Sequence, residues 1–413
     1  MNIRLIRTFH PVGQGAFYSE EFKGEGGDVL FRVLYDCGCI WGDKNQKHGM
    51  QVLGEQISQW KGTGHSGIDY LFISHFDFDH VSLLKTLKDG GVKVERVISP
   101  LLENDEKVAL TNFYEGVFKR NESEFLGDLI ENPGKALGGE NIWVAPLKAD
   151  GRLSDEDFSV DVASGDHVAS GTRFPVDIPN ADLDWRYIPC NFEIESRGLE
   201  FREALKKKFG ERFDPKTLEG FPGLMKLYGR GKRRAFRKLK AVYDSVEGNI
   251  NENSMIVYSG PVDCEGKDWK CVGQSMLSCN SSKCPPQHKL PCVALGNAEN
   301  RVKGGCGPAC IYTGDADLKV TAIDVWYRDF WHFVGTIQVP HHGSRLSFNH
   351  SIFCHGCYQC PISCSDNCYY KHPHACVTNA LTADGSIPIR VTESVGLCQE
   401  FDMSLGQQMG ANA

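Results

Sequence analysis

Through the first hundred residues, apolar positions come in short dense blocks separated by stretches where they recur every three or four places. The blocks "NIRLIRTFHPV", "VLFRVLYDCG", "IDYLFISHF" and "VERVISP" predict strands, and the intervening "GEQISQWKGTG" and "VSLLKTLKDGG" predict helices. That alternation is the rhythm of a layered α/β architecture. Residues 101–150 lose the regularity and read as an irregular insertion or lid. Over 151–190 short strands return between Gly-Asp and Gly-Thr turns, as in "VASGDHVASGTRFPVDIP". Residues 195–243 predict a helical, basic insertion. Strands at "NSMIVYSG" and "ACIYTGD" then flank a cysteine-rich insertion over 262–310, and a terminal αβ stretch carries "TIQVPHHGS". No internal repeat is visible, so the expectation is a single domain over 1–413 bearing these insertions.

Composition adds class and little more. With 41% hydrophobic and 24% charged residues, the chain of 413 is globular, not disordered. A net charge of -8 speaks against a surface coated in nucleic acid, although an average can conceal a local basic face. The start, "MNIRLIRTFHPVGQGAFYSEEF", lacks the apolar core of a signal peptide, and no apolar run is long enough to span a bilayer. The expectation is a cytoplasmic protein, in which 17 cysteines point to metal binding or plain burial ahead of disulfides.

The candidate chemistry starts at "LFISHFDFDHVSLL". Alternate residues of an extended segment share a face, so His75, Asp77 and Asp79 would line up until a turn brings His80 around. Alone, such a cluster points to metal, with an acidic turn carrying two stray histidines as the alternative. Two more apolar strands end in the same residue types: "IYTGDADL" in Gly314 and Asp315, "IQVPHHGS" in His341, His342 and Gly343. Ligands of open α/β sheets gather at strand ends, so the three can converge on one metal site.

Taken in order, "HPVGQGAFY", "LYDCG", "ISHFDFDH", "NENSMIV", "IYTGD", "VPHHGS" and "ISCSDNCYYKHPH" resemble the motifs of the metallo-β-lactamase-fold hydrolases. Within them the chain is similar to the soluble hydrolase domain of ComEC-type competence proteins. The resemblance implies a four-layer αββα sandwich holding two divalent metal ions, Zn or Mn. His75 and Asp77 would hold one ion, Asp79 and His80 the other, with Asp315 between them and His342 as the sixth ligand. Asp36 would accept a hydrogen bond from a ligand histidine, and His341 would stand just behind the ligands. Asp79 and His372 are the catalytic candidates, His372 as proton donor to a leaving group or as a packing residue of its Pro-containing loop. Most of the superfamily has histidine at position 77, so Asp77 makes the first site harder and more tolerant of manganese or magnesium. A further histidine expected before the bridging aspartate is not evident; His167 lies in the interval but reads as a surface residue.

Substrate and partner rest on softer features. Lys206, Lys207, Arg230, Arg233, Arg234 and Arg237, interrupted by Phe209, Tyr228 and Phe236, suit a phosphate backbone with occasional base stacking; a solvated helix face is the alternative. The expected function is therefore a metal-dependent phosphodiester hydrolase, a nuclease acting on DNA. The alternatives are hydrolysis of a small phosphoester or nucleotide messenger, and a partner-gated effector or binding module on the same fold. Cys264, Cys271, Cys279, Cys284, Cys292, Cys306 and Cys310 could share a structural zinc with Cys354 and Cys357, or remain buried thiols. The run Cys354 to Cys364 has ferredoxin-like spacing, but proline follows its third cysteine and not its fourth, which argues against an iron-sulfur cluster.

Overall fold

Neighbouring side chains of a strand leave on opposite faces, so an unbroken apolar run is stable only where both faces are covered. In "IDYLFI", Tyr70 and Phe72 join one buried cluster while Ile68, Leu71 and Ile73 join a second. In "ACIY", Cys310 and Tyr312 join the first cluster while Ala309 and Ile311 join a third. The first cluster lies between two sheets, and the other two lie between each sheet and its helices. These three interfaces separate four layers, the αββα sandwich.

The computed structural model describes residues 1–102, 106–107, 110–111, 114, 120–147, 151–159, 162–181, 183–192, 203, 207, 254–263, 267–278, 307–354, 356–367 and 371–405. Its strands are β1 (Ile3–Phe9), β2 (Phe17–Lys23), β3 (Val29–Cys37), β4 (Ile68–Phe72), β5 (Val94–Pro100), β6 (Glu140–Val144), β7 (His167–Val168) and β8 (Phe174–Pro175). They continue with β9 (Trp185–Cys190), β10 (Ile256–Pro261), β11 (Lys267–Ser278), β12 (Ala309–Tyr312), β13 (Val334–Ile337), β14 (Gln359–Ser363), β15 (Ile387–Val391) and β16 (Val395–Leu405). One sheet has nine strands in the order β11-β16-β1-β2-β3-β4-β5-β6-β7, the other seven in the order β15-β14-β13-β12-β10-β9-β8. Strands β3 to β6 run parallel in the first sheet, β12 to β15 in the second. Among the described residues no helix is long and apolar enough to cross a membrane.

The structure differs from the sequence reading in three places. Strand β2 was hidden because Glu20 interrupts its apolar pattern, yet Glu20 is buried. Residues 101–150 are not merely a lid: β6 pairs in parallel with β5, and the helices Arg120–Glu131 and Pro133–Leu137 set Leu126, Leu129, Ile130 and Leu137 into the sheet–helix core. Within 262–310, β11 is an edge strand of twelve residues paired with β16, and Trp269, Cys271 and Met276 pack on the inter-sheet cluster. Of the basic segment 195–243, only positions 203 and 207 fall among the described residues, both helical.

Glu20 is tolerated because neighbouring β1 and the opposite sheet both supply partners. Arg7 Nε lies 2.5 Å from Glu20 Oε1 with both side chains buried. Tyr312 donates to Oε1 at 2.9 Å, Ser259 donates to Oε2 at 2.6 Å, and the Tyr187 hydroxyl donates to Oε2 as well. Arg7 also donates to the carbonyl of Pro308 at 2.8 Å, so one ion pair stitches β1 and β2 to β9, β10 and β12. Removing one partner of such a pair leaves a buried charge uncompensated. Glu20→Ala is expected to destabilise the chain by about 3–5 kcal/mol in chemical denaturation, whereas an exposed pair such as Lys85–Asp89 should give about 0–1 kcal/mol.

Burial also acts on His10, which stacks on Phe17 and meets the Ser19 hydroxyl at 2.8 Å. It lowers the imidazole to about 3, so the folded chain keeps this ring neutral while the unfolded chain protonates it near 6.5. Between those values the unfolded state binds the extra proton, and stability falls as pH falls. His10→Gln should flatten the pH–stability curve across that window by up to about 1.4 kcal/mol per pH unit, measured as urea midpoints against the wild type.

Candidate metal centre

The parallel strands of both sheets end on the same side, and their ends carry the polar residues. Strand β3 carries Asp36 one residue before its end, buried and at φ 56°. Its carboxylate accepts the Ser74 backbone N–H at 2.7 Å and the Ser74 hydroxyl at 2.6 Å, and lies 2.8 Å from His80 Nδ1. Two residues on, Gly38 presses against the ligand segment: a Cβ there would stand 2.4 Å from the Asp79 carbonyl oxygen. The Asp79 carbonyl is further held by the Ala16 N–H at 3.1 Å. The "GQGA" and "DCG" motifs therefore form the bed on which the Asp79–His80 backbone lies.

Past β4, the chain does not stay extended to Asp79 as the alternation argument required. Asp77 is extended, at φ −69° and ψ 151°, and then opens the single helical turn Phe78–Val81. The N–H groups of His80 and Val81 close that turn on the Asp77 carbonyl at 3.0 and 3.1 Å. His75 is thus delivered from a strand end, and Asp79 and His80 from a helical turn.

The second sheet brings the rest. Beyond β12, Gly314 takes φ +54°, and a Cβ there would meet Ser74 at 2.9 Å, so the loop bearing Asp315 closes directly on the loop bearing His75. Gln338 fixes this turn, its Oε1 accepting the N–H groups of Thr313 at 2.8 Å and Gly314 at 2.9 Å. Beyond β13, His341 and His342 take φ 47° and 54°. His342 Nδ1 meets the Ser363 carbonyl at 3.0 Å, and His341 Nδ1 lies 3.2 Å from the Ser347 hydroxyl. Of the five non-glycine residues with left-handed φ among those described, Asp36, His341, His342 and Lys371 gather here, the fifth being Asn180. Such strain persists only where surrounding contacts enforce it, and it clusters at functional sites.

With their Nδ1 atoms engaged, the imidazoles turn Nε2 to a common centre. Two groups have ligand atoms mutually within 4.8 Å: His75, His80 and Asp315, and Asp79, His80 and His342. His80 Nε2 lies 3.5 Å from Asp315 Oδ1, and His342 Nε2 lies 3.2 Å from Asp79 Oδ2. His75 Nε2, His80 Nε2 and Asp315 Oδ1 are buried without a hydrogen-bond partner. Buried polar atoms are rarely left so, and three facing one another fit a divalent cation, which takes imidazole nitrogen and carboxylate oxygen together.

The charges are strongly coupled. Burial opposes the charge on His80, but Asp315 and Asp36 raise it well above the ordinary imidazole value. Burial likewise opposes ionisation of Asp315, but His341, His80 and His342 hold it well below the carboxylate range. His75 goes the other way, lowered to about 3 by burial and by His80. Because a metal ligand must give up its proton, metal binding at this centre should release protons.

The other expected residues are placed as follows. Asp77 is half-buried beside the centre but stands in neither group of converging atoms. His341 Nε2 lies 4.0 Å from Asp315 Oδ2. The His372 ring is 6.5 Å from that of His342, its Nδ1 buried, and burial with His342, His341 and His374 lowers it to about 4. His167 is exposed on β7. Lys207 is exposed, while Lys206, Arg230, Arg233, Arg234 and Arg237 lie outside the described residues. So do Cys264, Cys279, Cys284, Cys292 and Cys306. Cys310 belongs to β12 and not to an insertion, fully buried between the sheets. Cys271 is partly buried on β11, and Cys354 and Cys357 are exposed; among the described residues no metal-ligating group includes a cysteine. Ser74, Ser254 and Gln338 escaped the sequence reading, because a serine beside a histidine or opening a strand carries no distinctive spacing.

Residues 30–189 match the family model described as the metallo-beta-lactamase superfamily. That span runs from β3 to β9 and includes His75, Asp77, Asp79 and His80, while Asp315 and His342 lie beyond it. No curated protein matches the chain. Together with the converging His and Asp groups, the match supports a metal-dependent hydrolase. Because Asp36 fixes the His80 ring, Asp36→Asn should weaken divalent-metal binding by about 10–100-fold, read by titrating the chelator-treated chain. Metal at about 100 times its Kd should stabilise the wild type by about 2.7 kcal/mol, and chelation should abolish that gain.

Proposed function

We propose that the chain is a two-metal phosphodiester hydrolase, and that its substrate is DNA. The observation that carries this reading is the convergence of buried imidazole and carboxylate atoms from segments that follow strands of both sheets. Asp79, His80 and His342 would hold one ion, His75 and Asp77 the other, with Asp315 reaching both. Bound there, two divalent ions would lower the pKa of a water and neutralise charge developing on a phosphoryl group. The carboxylate of Asp77 favours Mn²⁺ alongside Zn²⁺ at the position it serves.

The protein's own part is orientation. Asp36 and Ser74 fix the rings of His80 and His75, and the Ser363 carbonyl fixes that of His342. His372, held near 4, is a neutral ring at pH 7. A neutral imidazole donates a hydrogen bond to a phosphoryl oxygen more readily than a proton to a leaving group. The ordered resemblance to ComEC-type hydrolase domains supports phosphodiester chemistry, and the local basic run among residues 206–238 of an otherwise acidic chain supports a polyanionic substrate. In the same reading, 195–243 and 279–306 are insertions on one domain.

End-labelled single- and double-stranded DNA should be cut with Mn²⁺, Mg²⁺ or Zn²⁺, and Asp79→Ala should lower the rate by at least about 100-fold. A folded, metal-loaded chain that leaves DNA intact but hydrolyses bis(p-nitrophenyl) phosphate would move the substrate to a small phosphoester. A chain inert on both would contradict the hydrolase reading.

A further inference from the structure

Ser254 is fully buried just before β10 and belongs to neither group of converging ligand atoms. Its hydroxyl oxygen lies 3.0 Å from His75 Nδ1 and accepts the backbone N–H of Asp315 at 3.0 Å. The next residue, Met255, donates its N–H to the Ser74 carbonyl at 2.7 Å. One hydroxyl thus touches a ligand presented by the first sheet and the backbone of a ligand presented by the second.

Hydrogen-bond arithmetic gives this contact a direction. Asp36 as a carboxylate only accepts, so the Ser74 proton is committed to it at 2.6 Å. Ser74 Oγ, 2.9 Å from His75 Nδ1, therefore accepts from that ring. Ser254 Oγ, 3.0 Å from the same nitrogen, then shares that Nδ1–H with Ser74. With its proton on Nδ1, His75 keeps the Nε2 lone pair for a metal; the other tautomer would not bind one.

The two metal positions are not equally furnished. His80 appears in both groups but has one free lone pair at Nε2, so it serves one ion. Given to the position with Asp79 and His342, it leaves the other with His75, an Asp315 oxygen and, on the reading above, Asp77. That position is the weaker, and both of its ligands within the converging groups are the ones Ser254 touches.

We propose that Ser254 is a positioning residue for the weaker metal position, holding His75 in its metal-binding tautomer and setting its distance from Asp315. The assignment rests on the two-ion reading of the previous subsection.

The test is Mn²⁺ titration of the chelator-treated full chain, with free ion followed by electron paramagnetic resonance and heat by calorimetry. The wild type should show two binding events of different affinity. Ser254→Ala should weaken the weaker event by about 10–100-fold and leave the tighter one alone, with the metal-free thermal midpoint little changed. Ser254→Thr, which keeps the hydroxyl, should restore it. Ser254→Cys, which keeps the volume and weakens the hydrogen bond, carries the same test should the alanine variant not fold. Two events that these variants leave untouched, or weaken alike, would overturn the assignment and spare the two-ion reading. A wild type that binds a single ion would overturn both.

Discussion

The carboxylate of Asp36 is the constraint from which the centre is built. Held in a left-handed conformation at the end of β3, it receives the Ser74 N–H, the Ser74 hydroxyl and His80 Nδ1 within 2.8 Å. These contacts fix where β4 ends, pull the helical turn at Phe78–Val81 against the "DCG" loop, and aim His80 Nε2 inward. Through Ser74 the same carboxylate reaches His75. A buried carboxylate of this kind is stable only with donors on both of its oxygens, so the strand end, the turn and both rings are specified together.

The second sheet must then arrive at the right height. Face-to-face packing around Tyr18, Tyr35 and Tyr312, whose rings stack at 4.9 to 6.2 Å, and the Arg7–Glu20 pair fix how the sheets lie. Gly314 and Gln338 convert that placement into a position for Asp315. The strained His341–His342 backbone is affordable because the Ser363 carbonyl and the Ser347 hydroxyl hold the two rings from behind. Carboxylates and imidazoles are thereby gathered within one small volume, an arrangement that suits a cation.

Much of this was legible because the chemistry sits in contiguous motifs. Three strand ends bearing His75 to His80, Asp315 and His342 could be read directly, whereas Asp36 came only with the resemblance. The α/β layering followed from the alternation of strand and helix blocks, and the four-layer sandwich from the resemblance; apolar runs such as "IDYLFI" are covered on both faces in the structure. What could not be read depended on partners remote in sequence. Glu20 disguised β2 until Arg7, Tyr187, Ser259 and Tyr312 were in place around it. Strand β6 lay inside a stretch with no periodicity of its own, and β11 inside a segment that cysteine content had marked as a loop. Cys310 looked like a potential ligand by spacing and is a core residue by position. Ser254 and Gln338 act through hydrogen bonds to loops remote in sequence, which leave no trace in local pattern.

The central claim is that residues from both sheets hold a pair of metal ions. Anomalous diffraction from crystals of the manganese-loaded protein tests it most directly. Two peaks about 3.5–4 Å apart are predicted, one against Asp79, His80 and His342 and one against His75, with Asp315 reaching both. Full occupancy by a single ion, or metal found only among the cysteines with His75, His80 and Asp315 unligated, would contradict it.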